Sequence, residues 1–178
     1  SIASRAKAPR SAALASLREG READALASLA EAEEILREAE DTMTERNLAL
    51  ALETGCRVNI THTSTVRAID LVRRAKAGLA TVGTPGALSA VTCDVTPHHL
   101  ALTADTPEIV NPPLRLEADR QALIAGVLDG TVDAIATDHA PHTAADKAAG
   151  APGFSGIQTA FAVCNTALVT TGFIGLSR

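Results

Sequence analysis

Residues 134–142 read Ala134-Ile135-Ala136-Thr137-Asp138-His139-Ala140-Pro141-His142. An apolar run, Val132 to Ala136, stops at an acid, and two histidines and a proline follow. The run reads as a buried strand and Pro141 as part of a loop. A carboxylate and imidazoles at the end of a buried strand can bind a metal ion and shuttle a proton. The plainer alternative is that Asp138 caps a turn and the histidines face solvent.

The same arrangement recurs twice upstream. Val58 and Ile60 alternate within 57–61, a short strand that ends at His62. Residues 90–95 form a second strand candidate, which ends at Thr96-Pro97-His98-His99. Between the two, Ser64 can cap a helix whose apolar face is Val66, Ile69 and Val72. Asp70 can pair there with Arg67 or Arg74, and Gly78 ends the helix. Gly83, Pro85 and Gly86 mark a loop. Residues 101–115 are irregular, and 116–128 read as a helix with Leu123, Ile124, Val127 and Leu128 on one side, closed by Gly130. A loop over 141–153 and a last helix, about 157–170, follow. Strands alternating with helices argue for parallel βα units. The C-terminal strand ends of such a sheet are where active sites are built. Three successive strands ending in His or Asp point to function rather than chance.

Residues 11–54 are rich in Ala, Leu, Glu and Arg and lack proline, which is helix composition. Gly20 is a break and Gly55 a C-terminal stop. Ala25, Leu29, Ala32, Leu36, Ala39 and Met43 make one helical stripe, as in an amphipathic helix with a solvated face.

Composition narrows the function. The 178 residues are 46% hydrophobic with three Phe and neither Trp nor Tyr, so small aliphatic side chains must fill the core. A net charge of −5, no basic stripe and few aromatics argue against nucleic acid. Cys56, Cys93 and Cys164 are isolated and odd in number, which suggests a reducing cytosol. Arg5, Lys7 and Arg10 break any signal-peptide pattern. The apolar stretch 156–176 contains Gln158 and Asn165, so a buried helix is favoured over a membrane span.

Taken in order, four segments resemble dihydroorotase, a metal-dependent cyclic amide hydrolase of the amidohydrolase superfamily. They are Thr61-His62-Thr63-Ser64-Thr65, Val95-Thr96-Pro97-His98-His99-Leu100, Val110-Asn111-Pro112-Pro113-Leu114-Arg115, and Ala136-Thr137-Asp138-His139-Ala140-Pro141-His142-Thr143. Ala151-Pro152-Gly153 and 156–160 look like that family's closing loop and final helix. The resemblance is clear over about 46–170. It implies an α/β fold, a partial (β/α)8 barrel holding the last three βα units. By that reading 46–178 is the barrel domain and 1–45 a preceding helical segment. His62 would be a metal ligand. Asp138 would be a second ligand and the catalytic proton shuttle. Asn111, His142, Pro152 and Gly153 would hold the substrate, while His98 and His99 would stand behind the ligands. The implied cofactor is zinc, and the implied reaction is hydrolysis of dihydroorotate to carbamoyl aspartate in pyrimidine biosynthesis.

The chain also departs from the family. No histidine precedes His62, so the family's His-x-His pair and its further ligands have no counterpart. A catalytic zinc takes at least three protein ligands, so the chain alone should bind zinc weakly and be inactive. The expectation is therefore a cytoplasmic, dihydroorotase-like segment acting on a small molecule, or else a non-catalytic remnant serving as a structural partner. A homo-oligomer, a complementing N-terminal half or aspartate carbamoyltransferase are the partners to consider.

Overall fold

The computed structural model describes residues 8–9, 12, 15–16, 19–80 and 90–175. The loop read at Gly83, Pro85 and Gly86 lies outside the described residues. The chain divides into two compact units, 1–43 and 44–178. Helix α1, Glu22–Thr54, begins in the first unit and ends in the second. Gly20 (φ 71°) precedes it and Gly55 (φ 70°) stops it. Of the stripe read along this helix, the side chains of Ala25 and Leu29 lie outside the described residues. Ala32 is buried, Leu36 and Ala39 are half-buried, and Met43 is 46% exposed.

The second unit is α/β. Strands β1 (Val58–Ile60), β2 (Val91–Val95) and β3 (Ala134–Ile135) form one parallel sheet in the order β1-β2-β3. Helix α2 (Val66–Ala80) connects β1 to β2. After β2 come a short helix, α3 (Pro97–Ala101), and the longer α4 (Glu117–Asp129), which leads to β3. Parallel strands need such crossovers, and the alternation in the sequence reflects that requirement.

Apolar side chains explain the packing. Ile69 and Val72 of α2, Leu123 and Ile124 of α4, Val91 and Val95 of β2, and Leu100 of α3 are all buried in one cluster. Each fully buried aliphatic of this size stabilises the fold by about 1.5–3 kcal/mol. Helices α2 and α4 approach closely at Gly126, where an added Cβ would stand 3.2 Å from Val132 and 3.4 Å from Ile69. The start of α2 is fixed by the buried Asp119 of α4, whose carboxylate accepts from the Val66 N–H at 3.0 Å.

Several readings of the sequence require correction. Thr65, not Ser64, caps α2, because its Oγ1 accepts from the Ala68 N–H at 3.0 Å. Ser64 instead accepts from Arg115 Nε at 3.0 Å. Val66 is 44% exposed, and Ala68 and Ala75 join Ile69 and Val72 on the inner face. Helix α2 runs past Gly78 to Ala80. The loop after Pro141 contains a short helix, α5 (Ala144–Ala148), with a Thr143/Asp146 capping box. The last helix starts at Ala160 and is α-helical only to Cys164 (α6), continuing as a π-helical stretch, Asn165–Thr170. Finally, β3 is not buried: Ala134 and Ile135 are both exposed, because among the described residues β3 pairs with β2 alone. The sheet is open rather than closed.

Candidate functional site

The C-terminal ends of the three parallel strands lie on one edge of the sheet, and the chemistry collects there. His62 follows β1, and Asp138 stands three residues beyond β3. Both adopt a left-handed backbone, with φ 56° at His62 and φ 47° at Asp138. That conformation is uncommon for residues other than glycine, although His and Asp tolerate it better than most. At these two positions it coincides with a direct side-chain approach: His62 Nε2 lies 3.4 Å from Asp138 Oδ1.

The other side of the His62 ring is fixed by Asp94, a 6% exposed carboxylate inside β2. Its Oδ1 accepts from the His62 backbone N–H at 2.7 Å and lies 3.1 Å from His62 Nδ1. Its Oδ2 accepts from Asn59 Nδ2 at 2.8 Å. Asn59 Oδ1 in turn accepts from Thr92 Oγ1 at 2.8 Å. With Nδ1–H given to Asp94, Nε2 turns its lone pair toward the Asp138 carboxylate. Two lone-pair donors facing each other in this way suit a cation between them. A carboxylate behind a ligating imidazole is the usual means of fixing its tautomer and direction. Asp94 is the residue of this cluster that the sequence did not disclose. Its only signal was an acid inside an otherwise buried strand.

His98 and His99 differ in role although they are adjacent. Thr96 caps α3, accepting from the His99 N–H at 3.1 Å, and its hydroxyl lies 2.7 Å from His99 Nδ1. His99 Nε2 is 3.1 Å and 3.2 Å from the carbonyls of Pro112 and Pro113. These partners call for the neutral ring with its proton on Nε2. Burial first, opposed by those carbonyls, lowers the His99 pKa to about 4. His99 is therefore a neutral strut that ties α3 to the 111–115 segment. His98 is 6% exposed, and its Nε2 has no hydrogen-bond partner among the described residues. The nearest carboxylate oxygen, Asp138 Oδ2, is 3.9 Å away. Burial and then the neighbouring His99 lower its pKa to about 4 as well. Its ring packs edge-to-face with Phe154, the ring centres 5.3 Å apart, and lines a cavity of about 240 Å3 together with Leu102, Thr137 and Thr159.

The remaining residues read from the sequence sit on two neighbouring loops. His142 is exposed, with Nε2 2.9 Å from the Pro152 carbonyl. Gly153 is buried at φ 135°, where a Cβ would stand 2.6 Å from Ala140 Cβ, so only glycine fits. Its N–H donates to the Ile109 carbonyl at 2.9 Å, two residues from the exposed Asn111. His139 Nδ1 accepts from the Ile157 N–H at 3.3 Å, a structural role. The structure thus brings His62, Asp138 and His98 together, and separately His142, Pro152 and Gly153. No direct bond joins Asn111 to either group among the described interactions.

A metal ion suits the donors facing each other at His62 Nε2 and Asp138 Oδ1. Among the described residues, however, no group of three or more His, Cys, Asp or Glu could hold one.

The likeness to solved structures is one of fold: the structure superposes on dihydropyrimidinase from Brevibacillus agri with a TM-score of 0.69, at 21% identity, over 78% of this chain and 32% of that one. It also superposes on L-hydantoinase from Arthrobacter aurescens with a TM-score of 0.69, at 24% identity, over 97% of this chain and 38% of that one. By sequence the relatives are dihydroorotases. The chain is 48% identical over 151 residues to dihydroorotase from Caldanaerobacter subterraneus subsp. tengcongensis, covering 79% of this chain and 33% of that protein. It is 49% identical over 144 residues to dihydroorotase from Geobacillus thermodenitrificans, covering 75% of this chain and 31% of that protein. The chain is therefore homologous to dihydroorotases over most of its own length and spans about a third of the length of these curated relatives. No family model matches it.

Proposed function

We propose that this chain forms the C-terminal βα units of a (β/α)8 barrel, with 46–178 as the barrel segment, and supplies part of the active site of a dihydroorotase-like hydrolase. The observation that carries this reading is the approach of His62 Nε2 to Asp138 Oδ1 at 3.4 Å, with Asp94 behind the imidazole. His62 and Asp138 would hold zinc together with ligands from outside the described residues. When bound, the metal acidifies a water and polarises the amide carbonyl. Asp138 takes the proton of the attacking water and returns it to the ring nitrogen as the C–N bond of the cyclic amide breaks. His142, Asn111 and the Pro152–Gly153 backbone hold the substrate's carboxylate and ring. Three free, separated cysteines support a cytosolic setting. Among the described residues no helix is long and apolar enough to cross a membrane.

The test is hydrolysis of dihydroorotate to carbamoyl aspartate. The 178-residue chain alone should show no turnover, because it offers two ligands where three are needed. Mixed with a separate segment carrying a His-x-His pair, it should gain activity, and Asp138→Asn should abolish it. Turnover by the chain alone, or full activity in Asp138→Asn, refutes the assignment.

A second reading is a non-catalytic partner of aspartate carbamoyltransferase. Co-sedimentation with that enzyme, combined with no activity in any mixture, would favour it.

A further inference from the structure

The two loops assigned above to the substrate are tied together by one side chain. Lys147, in the last turn of α5, reaches back between them. Its ammonium donates to the Ile109 carbonyl at 3.2 Å and to the Gly153 carbonyl at 3.2 Å. It also pairs with Glu108 Oε2 at 3.3 Å. Of the three N–H donors of the ammonium, the two carbonyls take two, and the Glu108 carboxylate adds a charge pair. The Phe154 ring lies beneath, its centre 5.7 Å from Nζ. The Ile109 carbonyl accepts from the Gly153 N–H as well, so lysine and backbone close the same junction. The capping box that starts α5 lies directly after His142, so one short helix fixes the imidazole at its front and the ammonium at its end. At 27% side-chain exposure Lys147 is neither a core residue nor a free surface charge.

We propose that Lys147 is a positioning residue that locks the 108–113 loop onto the 150–154 loop, and so holds Asn111, His142 and the Gly153 backbone as one substrate wall. This rests on the reading that these residues contact substrate. The Lys147 ammonium itself is occupied by protein acceptors and touches none of the reacting atoms. Its effect should therefore fall on binding more than on chemistry.

Two measurements test it. In the 178-residue chain, exchange of the Gly153 amide is followed by NMR. Lys147→Met should speed it about tenfold or more, with α2 amides unchanged, and Lys147→Arg should stay within about threefold of the parent. Unchanged Gly153 exchange in folded Lys147→Met overturns the strap. If that variant does not fold, Glu108→Ala removes the carboxylate paired with the ammonium and should speed exchange by about threefold, and no change overturns the proposal equally. In the enzyme assembled with a complementing segment, Lys147→Met should raise KM for dihydroorotate about tenfold, with kcat within about threefold and Lys147→Arg restoring KM. An unaltered KM with reduced kcat overturns the positioning role. An assembled parent without turnover refutes the proposed function instead, and the exchange measurement still decides the strap.

Discussion

Replacing Asp94 by alanine tests whether a buried carboxylate sets the geometry of the site. The side chain receives three bonds, from Asn59 Nδ2 at 2.8 Å, the His62 N–H at 2.7 Å and His62 Nδ1 at 3.1 Å. Each bond to a charged acceptor is worth about 1.5–3 kcal/mol, but a donor that regains water loses much less. Asn59 is exposed and the His62 side chain is 22% exposed, so both can be rehydrated. The backbone N–H at the turn is the donor left poorest. Relaxation of the left-handed His62 returns about 1 kcal/mol of the 1–3 kcal/mol such a residue stores. The net loss should be about 2–3 kcal/mol for Asp94→Ala. It should be smaller for Asp94→Asn, which keeps one acceptor. Thr92→Val, one step further along the chain of bonds, should cost under about 1 kcal/mol. The chain has neither Trp nor Tyr, so urea unfolding is best followed by far-ultraviolet circular dichroism. Nitrogen chemical shifts should show His62 protonated at Nδ1 in the parent and as a tautomer mixture in Asp94→Ala. A stability change within about 0.5 kcal/mol, with the tautomer unchanged, refutes the reasoning.

Other outcomes follow from the same geometry. His99 has a folded pKa lowered to about 4, so the unfolded chain binds more protons below pH 6.5 and stability must fall as the medium is acidified from about 6.5 toward 4. Its share is about 1.3 kcal/mol between pH 7.5 and 5.5, to be read from urea midpoints, and a flat profile in that range contradicts it. Gly153→Ala forces a Cβ to within 2.6 Å of Ala140, so the 150–154 loop should become sensitive to limited proteolysis while the melting temperature barely moves. An equally resistant loop would show that the junction is softer than drawn. Zinc titrated into the chain should bind weakly and below one-to-one, far short of the about 10–16 kcal/mol of a complete structural site. Tight one-to-one binding lost in His62→Ala would mean that the ligand set extends beyond His62 and Asp138.

What the sequence discloses here and what it hides have different physical origins. His62 and Asp138 are legible because a short apolar run ending in a ligand-type residue is a local pattern, and the parallel sheet is legible because strands alternate with helices. The burial of β3 is not local. Val132 to Ala136 reads as a core strand, yet Ala134 and Ile135 are exposed, since burial depends on what covers the strand rather than on its own residues. Thr63-Ser64-Thr65 offers three hydroxyls of nearly equal capping ability. Arg115, fifty-one residues away, engages Ser64 at 3.0 Å, and the adjacent Thr65 holds the cap bond. Helix α5 could have been read, because Thr143 and Asp146 have the spacing of a capping box. Asp94 could not, because an acid in a buried strand has no meaning until its partner is known. That partner is thirty-two residues distant, and the bond it makes fixes more than a side chain. It accepts the backbone N–H of a residue in the left-handed region, and so stabilises the turn that aims Nε2 at Asp138. The kinds of chemistry available at this sheet edge are written in short local motifs. The 3.4 Å approach of His62 to Asp138 rests on a carboxylate from the neighbouring strand.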